Sequence, residues 1–100
     1  MPQFDDNVLE KDDIEVQEPS MYKVVMINDD YTPMDFVVLI LTTVFNKPVE
    51  EAASLMMEVH KNGRGVAGVY TYDIAQTKSK EAMALAKTYE YPFKVVVEEE

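Results

Sequence analysis

Ile27-Asn28-Asp29-Asp30-Tyr31-Thr32-Pro33-Met34-Asp35-Phe36 is the stretch on which the fold of this chain turns. It lies between an apolar run, Met21 to Ile27, and an amphipathic run, Met34 to Phe45. The short polar side chains of Asn28, Asp29 and Asp30 bond to nearby backbone and favour a turn over a continued ladder. Thr32 precedes Pro33, and Asp35 follows in the next turn. That pattern reads as a helix start, with Thr32 as N-cap and Pro33 at the first helical position. A strand therefore ends, a polar turn presents two carboxylates and an amide, and a helix begins beside it.

Moving outward, Met21 to Ile27 is a strand in which only Lys23 interrupts the apolar run. Its two faces are not cleanly separated, which fits a central position in a sheet. In the first helix Met34, Val37, Val38, Leu41, Val44 and Phe45 recur at helical spacing. Its β-branched residues lower intrinsic propensity, so packing must hold it. Pro48 opens a second helix with Glu50 and Glu51 in its first turn, where acids suit the dipole. Ala52, Leu55, Met56 and Val59 form its stripe, and Asn62-Gly63 closes it. A second strand is expected over Val66 to Tyr70. Thr71 or Asp73 caps a third helix running to about Tyr89, whose stripe is Ile74, Ala75, Lys78, Ala82, Leu85, Ala86 and Tyr89. Pro92 ends the following break, and Phe93 to Val97 is the third strand. The order β-α-α-β-α-β has too few helices to cover both faces of three strands. An α+β sandwich follows, with one three-stranded, mostly antiparallel sheet and three helices on one face.

One hundred residues suffice for one domain. The longest strongly apolar stretch, Phe36 to Leu41, is far too short to span a bilayer, and Met1 to Asp13 lacks the features of a signal peptide. A cytoplasmic protein is expected. The formal net charge of −10 argues against a nucleic-acid surface and an anionic membrane. Residues 1–19 hold seven acids against Lys11 alone, a net charge of −6, and their apolar residues are too scattered to form one face. They are expected to be a disordered acidic extension, either solubilising or an arm that engages a partner, with residues 20–100 as the folded domain.

The side chains disfavour catalysis. With no Cys there is neither a thiolate nucleophile nor a thiolate metal site. Ser20, Ser54 and Ser79 lack a recognisable elbow or base, and Gly63, Gly65 and Gly68 do not form a phosphate-cradling loop. Asp29, Asp30 and His60 are too few ligands to argue for a metal, and no cofactor is expected. Binding is the better reading. If the first two helices form a hairpin, His60 and Met56 approach the Asn28-Asp29 turn and Met34. Three acceptors would then rim a Met- and Val-lined hollow, suited to a ligand with an ammonium head and an apolar body.

These motifs resemble the ClpS family of adaptors, which deliver N-degron substrates to the ClpA–ClpP protease. The resemblance runs from about Ser20 to the end. It rests on Tyr22-Lys23-Val24-Val25, on Asn28 through Val37, on Met56 to His60 with Gly63, on Gly68-Val69-Tyr70-Thr71 and on Ala75-Gln76-Thr77-Lys78. It implies recognition of a first residue Leu, Phe, Tyr or Trp, and no enzymatic activity. Asn28, Asp29 and His60 would hold the α-ammonium, with Asp30 and Thr32 at the entrance. Met34, Val37, Met56 and Val59 would line the side-chain pocket, with Met34 as the gate that rejects Ile and Val. Phe93 stands where the family commonly carries an aliphatic residue near the pocket floor, and a bulkier floor would shift the preference among first residues. Asp73 and Lys78 would belong to the face docking the N-terminal domain of a ClpA-type AAA+ chaperone. In this motif Gln76 replaces a frequent Glu, and Asp73 replaces a longer acid. A monomer is expected. The alternatives are a regulator that binds the chaperone without recognising N-termini and a small hydrolase using Asp29 and His60.

Overall fold

The structure is a computed structural model that describes residues 20–100. The expected acidic extension, residues 1–19, lies outside the described residues. Six elements follow in order: β1 (Met21–Ile27), α1 (Met34–Thr43), α2 (Val49–Asn62), β2 (Arg64–Thr71), α3 (Tyr72–Thr88) and β3 (Lys94–Glu99). The sheet order is β2-β1-β3, and both pairings are antiparallel. The β-α-α-β-α-β sandwich is therefore as expected, and β1 is central.

Both faces of β1 are covered. Val24 and Met26 join the main core with residues of all three helices, whereas Val25 lies on the other face and is fully buried. On that face Val25 pairs with Val66 and Val96. Arg64 of β2 reaches Glu98 of β3 at 2.7 Å, so an ion pair bridges the two outer strands across β1. The pair is exposed and adds little by charge alone.

The helix α3 meets the sheet through small residues. Ala75, Ser79, Ala82 and Ala86 are buried in a row, which permits close approach. Ile74 and Tyr89, expected in that stripe, are about half exposed, because the inward row is centred on the alanines. Lys78 is half-buried for a specific reason. Its ammonium donates to the Val44 carbonyl at 2.7 Å, just past the end of α1, and so ties α3 to α1. Replacing it removes a charge-assisted bond and orphans that carbonyl. Lys78→Met is expected to lower unfolding free energy by about 1–3 kcal/mol, measured by urea denaturation. Unchanged stability would show that the bond contributes nothing.

Boundaries differ from expectation where tertiary partners act. Pro33 is itself the N-cap of α1, with extended backbone, and Thr32 makes no capping bond. The Thr32 hydroxyl is engaged by Asp29 instead. Pro48 is likewise an N-cap rather than the first residue of α2. The strand β2 starts at Arg64 and β3 extends to Glu99, because β1 offers ladder partners at Ile27 for Arg64 and at Tyr22 for Glu99.

Candidate functional site

The turn after β1 is built by Asp29. Its Oδ1 accepts the Tyr31 amide at 2.8 Å and the Thr32 amide at 2.7 Å, and its Oδ2 accepts the Thr32 hydroxyl at 2.8 Å. Partial burial pushes the carboxyl pKa up, but the Thr32 and Tyr31 amides and the Thr32 hydroxyl together outweigh that and hold it below the ordinary aspartate value. Asp29 thus stays ionised and fixes the loop. Asp30 points differently. It is exposed, and among the described residues it makes no side-chain hydrogen bond or ion pair.

A backbone bond brings the second half of the site into place. The Asn28 amide donates to the Gly63 carbonyl at 2.9 Å. Gly63 closes α2 in the left-handed conformation, φ 87°, with its amide on Val59. The last turn of α2, which carries His60, is therefore pinned to the first residue of the turn. Gly65 completes the fit, since a Cβ there would lie 2.8 Å from the Val59 side chain. Val59 can enter the core only because that space is empty.

The result is a hollow of about 320 Å³ between the turn, the start of α1 and the end of α2. Asn28, Asp29, Asp30, Thr32 and His60 supply its polar lining. Met34, Val37, Met56 and Val59 supply the apolar part. Nine of the residues singled out in the sequence thus converge on one hollow. Val37 and Val59 are buried at its base, while Met34 stays 42% exposed at the rim. Tyr31 and Pro33 also line it, and neither is among the site residues expected from the sequence. Their place inside the same turn was the signal available. The Gly63 carbonyl was missed too, because a glycine C-cap reveals backbone shape and not which amide it will meet.

Phe93 does not line the hollow itself. It lines a small adjoining void of about 10 Å³ together with Ile27, Asn28, Asp29, Thr32, Val37 and Val59, the last five of which also line the hollow. Asp73 and Lys78 lie elsewhere, on α3. At 3.6 residues per turn they are about 140° apart around the helix axis, so they do not share one face. Asp73 is exposed, while Lys78 is held by Val44.

Chemically, the hollow offers acceptors at one end and hydrocarbon at the other. No group of three or more His, Asp or Glu is placed to hold a metal among the described residues. None of the helices among them is long and apolar enough to cross a membrane.

The chain is similar over most of its length to proteins of one family. The profile of the family described as "ATP-dependent Clp protease adaptor protein ClpS" matches residues 17–96. The adaptor ClpS of Paraburkholderia xenovorans is 50% identical over 95 residues, covering 95% of this chain and 91% of its own. That of Burkholderia thailandensis is 48% identical, with the same coverage. Among solved structures, Agrobacterium tumefaciens ClpS2 bound to L-phenylalaninamide superposes with a TM-score of 0.80 at 41% identity. That match covers 83% of this chain and all of the other.

Proposed function

Since the chain belongs to the ClpS family of non-catalytic Clp protease adaptors, we propose that its hollow binds the free N-terminal residue of N-degron proteins and that it delivers them to a ClpA-type chaperone and its protease. The observation that carries this is the convergence of ammonium acceptors and a hydrocarbon-lined base in one hollow of about 320 Å³. That size is at the low end for ligand pockets and suits one side chain with its α-amine. The ligand of the similar Agrobacterium protein, L-phenylalaninamide, has that chemistry.

Roles follow from what each group has to offer. The α-ammonium has three hydrogens to donate. Asn28 supplies its side-chain oxygen, His60 an imidazole nitrogen, and the turn its negative charge. Asp29 has most of its acceptor capacity engaged by its own loop. It contributes field and one remaining lone pair, whereas Asp30 contributes an unengaged carboxylate. Thr32 keeps Asp29 in place. Val37, Met56 and Val59 surround the first side chain, and Met34 closes over it from the rim. Burying Leu or an aromatic ring yields roughly 1.5–3 kcal/mol. Each charge-assisted bond adds about 1.5–3 kcal/mol before desolvation. Micromolar affinity requires about 8 kcal/mol, so neither half of the hollow suffices alone.

Delivery needs a docking surface, for which Asp73 and the α3 region around Lys78 are the candidates. Their separation around the helix makes Asp73 the outward contact and Lys78 chiefly a tie to α1. The test is degradation of a folded reporter by ClpA and ClpP with this protein added. A Leu or Phe first residue is expected to give rapid loss of reporter, and a Met first residue none. Equal rates for the two would defeat the adaptor reading.

A further inference from the structure

A second cleft lies between the start of α1 and the end of α3. It holds about 140 Å³ and is lined by Asp35, Phe36, Leu39, Tyr89 and Tyr91, none of which lines the recognition hollow. Two tyrosines form one wall. Tyr89 and Tyr91 lie nearly parallel, 23° apart, with ring centroids at 6.1 Å. Both rest on the buried ring of Phe36, at 5.1 and 4.8 Å. The residue between them turns the chain. Glu90 is in the left-handed region, φ 63°, and the Tyr91 amide returns to the Ala86 carbonyl at 2.9 Å. Both rings thereby reach Phe36 from one chain end, yet Tyr89 stays 51% exposed. Asp35 is exposed too, and it is the one charged residue among the five. Among the described residues it makes no side-chain hydrogen bond or ion pair.

A fixed, exposed aromatic ring beside a carboxylate is chemistry for a cation. A planar guanidinium meets both groups at once, stacking on the ring and donating in parallel to the carboxylate. The course of α1 says where that guanidinium comes from. Met34 and Val37 line the hollow, while Asp35, Phe36 and Leu39, in the same turns, line the cleft. A helix with its side chains is about 10–12 Å across, and three extended residues span about 10 Å. A chain whose first residue sits in the hollow therefore reaches the cleft within a few residues. We propose that the cleft is a second subsite for the bound substrate, which takes the guanidinium of an arginine at the third or fourth position of that chain. This rests on the reading that the hollow receives the N-terminal residue. It adds a substrate class, chains with arginine close behind the first residue, that the hollow alone does not distinguish.

The test uses the full-length protein and phenylalanine-headed peptides of identical composition. A single arginine stands at the third, fourth or eighth position, and the other residues are small and uncharged. The peptides carry equal charge, so general attraction to a chain of net charge −10 does not separate them. Wild type is expected to bind the better of the third- and fourth-position peptides on the order of 5- to 10-fold more tightly than the eighth-position peptide, the effect of one cation–π contact with a charge partner. That ratio is read within each protein, so any change in the hollow cancels. Asp35→Asn and Tyr89→Ala are expected to bring it to unity, whereas Tyr89→Phe keeps the ring and should keep the ratio. In wild type the Tyr89 ring resonances should shift more with the near arginine than with the distant one. Equal affinity of wild type for all three peptides overturns the inference. So does an undiminished ratio in both Asp35→Asn and Tyr89→Ala. If Tyr89→Ala fails to fold, Asp35→Asn decides by the same criterion. Failure of the underlying reading is distinguishable, because it would appear in wild type as equal binding of free and acetylated forms of the same peptide.

Discussion

Asp30→Asn is expected to weaken binding of a phenylalanine-headed peptide on the order of 10- to 100-fold, the cost of one lost charge-assisted contact. Asp29→Asn is expected to cost less than about 10-fold. The difference comes from the bonds each carboxylate already makes. Asn at position 29 keeps an oxygen for the Tyr31 and Thr32 amides, and the Thr32 hydroxyl can turn to accept from its amide group. The loop survives, and only field is lost. Asn at position 30 removes the charge of the carboxylate that has no partner among the described residues. Asp29→Ala is a different change. It deletes three bonds that hold the loop, so Asn28 and Asp30 lose their positions and binding weakens strongly. The circular dichroism spectrum should stay native, since no helix or strand depends on that loop for its ladder. The same bonds set an acid limit. The Asp29 pKa is depressed in the fold, so its contribution is complete above the ordinary value of about 3.9 and is lost as pH falls through the lower folded value. Titration calorimetry of the three variants decides the roles. Equal losses in Asp29→Asn and Asp30→Asn would place the charge of Asp29 on the ammonium as directly as that of Asp30.

Met34→Ala is expected to admit peptides that begin with Ile or Val, with a gain on the order of 10-fold or more in their affinity. Met34 lies at the rim, 42% exposed, above the buried Val37 and Val59. Its thioether flexes to cover a ring or a leucine, but it crowds a side chain branched at Cβ, where the bulk sits next to the acceptors. Truncation opens that level. Because the residue is half in solvent, stability should change little, in contrast to a core methionine such as Met26. Peptides headed by Leu or Phe should bind several-fold more weakly, having lost one wall. Competition against a labelled phenylalanine peptide measures both effects. If Ile and Val ends remain excluded, Met34 is packing and not a gate.

Much of this site was legible in the sequence because its parts are local. Asn28 to Met34 form one turn, and turn chemistry is readable from short polar residues and proline. His60, Met56 and Val59 fall on one helix face by periodicity, and Gly63 marks where that helix ends. What brings the two segments together is backbone pairing, the Ile27–Arg64 end of the β1–β2 ladder and the Asn28–Gly63 bond just beyond it, and backbone bonds leave no trace in residue type. The reversal of roles at Thr32 has a similar origin. A threonine before a proline is a cap by pattern, but here the Asp29 carboxylate lies within reach of its hydroxyl and takes it. Lys78 on the stripe of α3 signalled partial burial, yet its partner, the Val44 carbonyl, lies thirty-four residues away. The strand limits were misread because Arg64 and Glu98–Glu99 are polar. Pairing with β1, reinforced by the Arg64–Glu98 bridge, overrides their composition. Phe93 was marked by the resemblance alone, and its edge-on contact with Phe36 of α1 is a tertiary pairing that residue type does not announce.

The most direct measurement is fluorescence anisotropy of two peptides that are identical, begin with phenylalanine, and differ only in acetylation of the α-amine. The free amine is expected to bind at micromolar affinity or better. The acetylated one should be weaker by on the order of 100-fold or more, because the acceptors around Asn28, Asp30 and His60 lose their charged donor. Equal affinities would contradict the account at its centre, since the hollow would then hold a ring without reading the chain end.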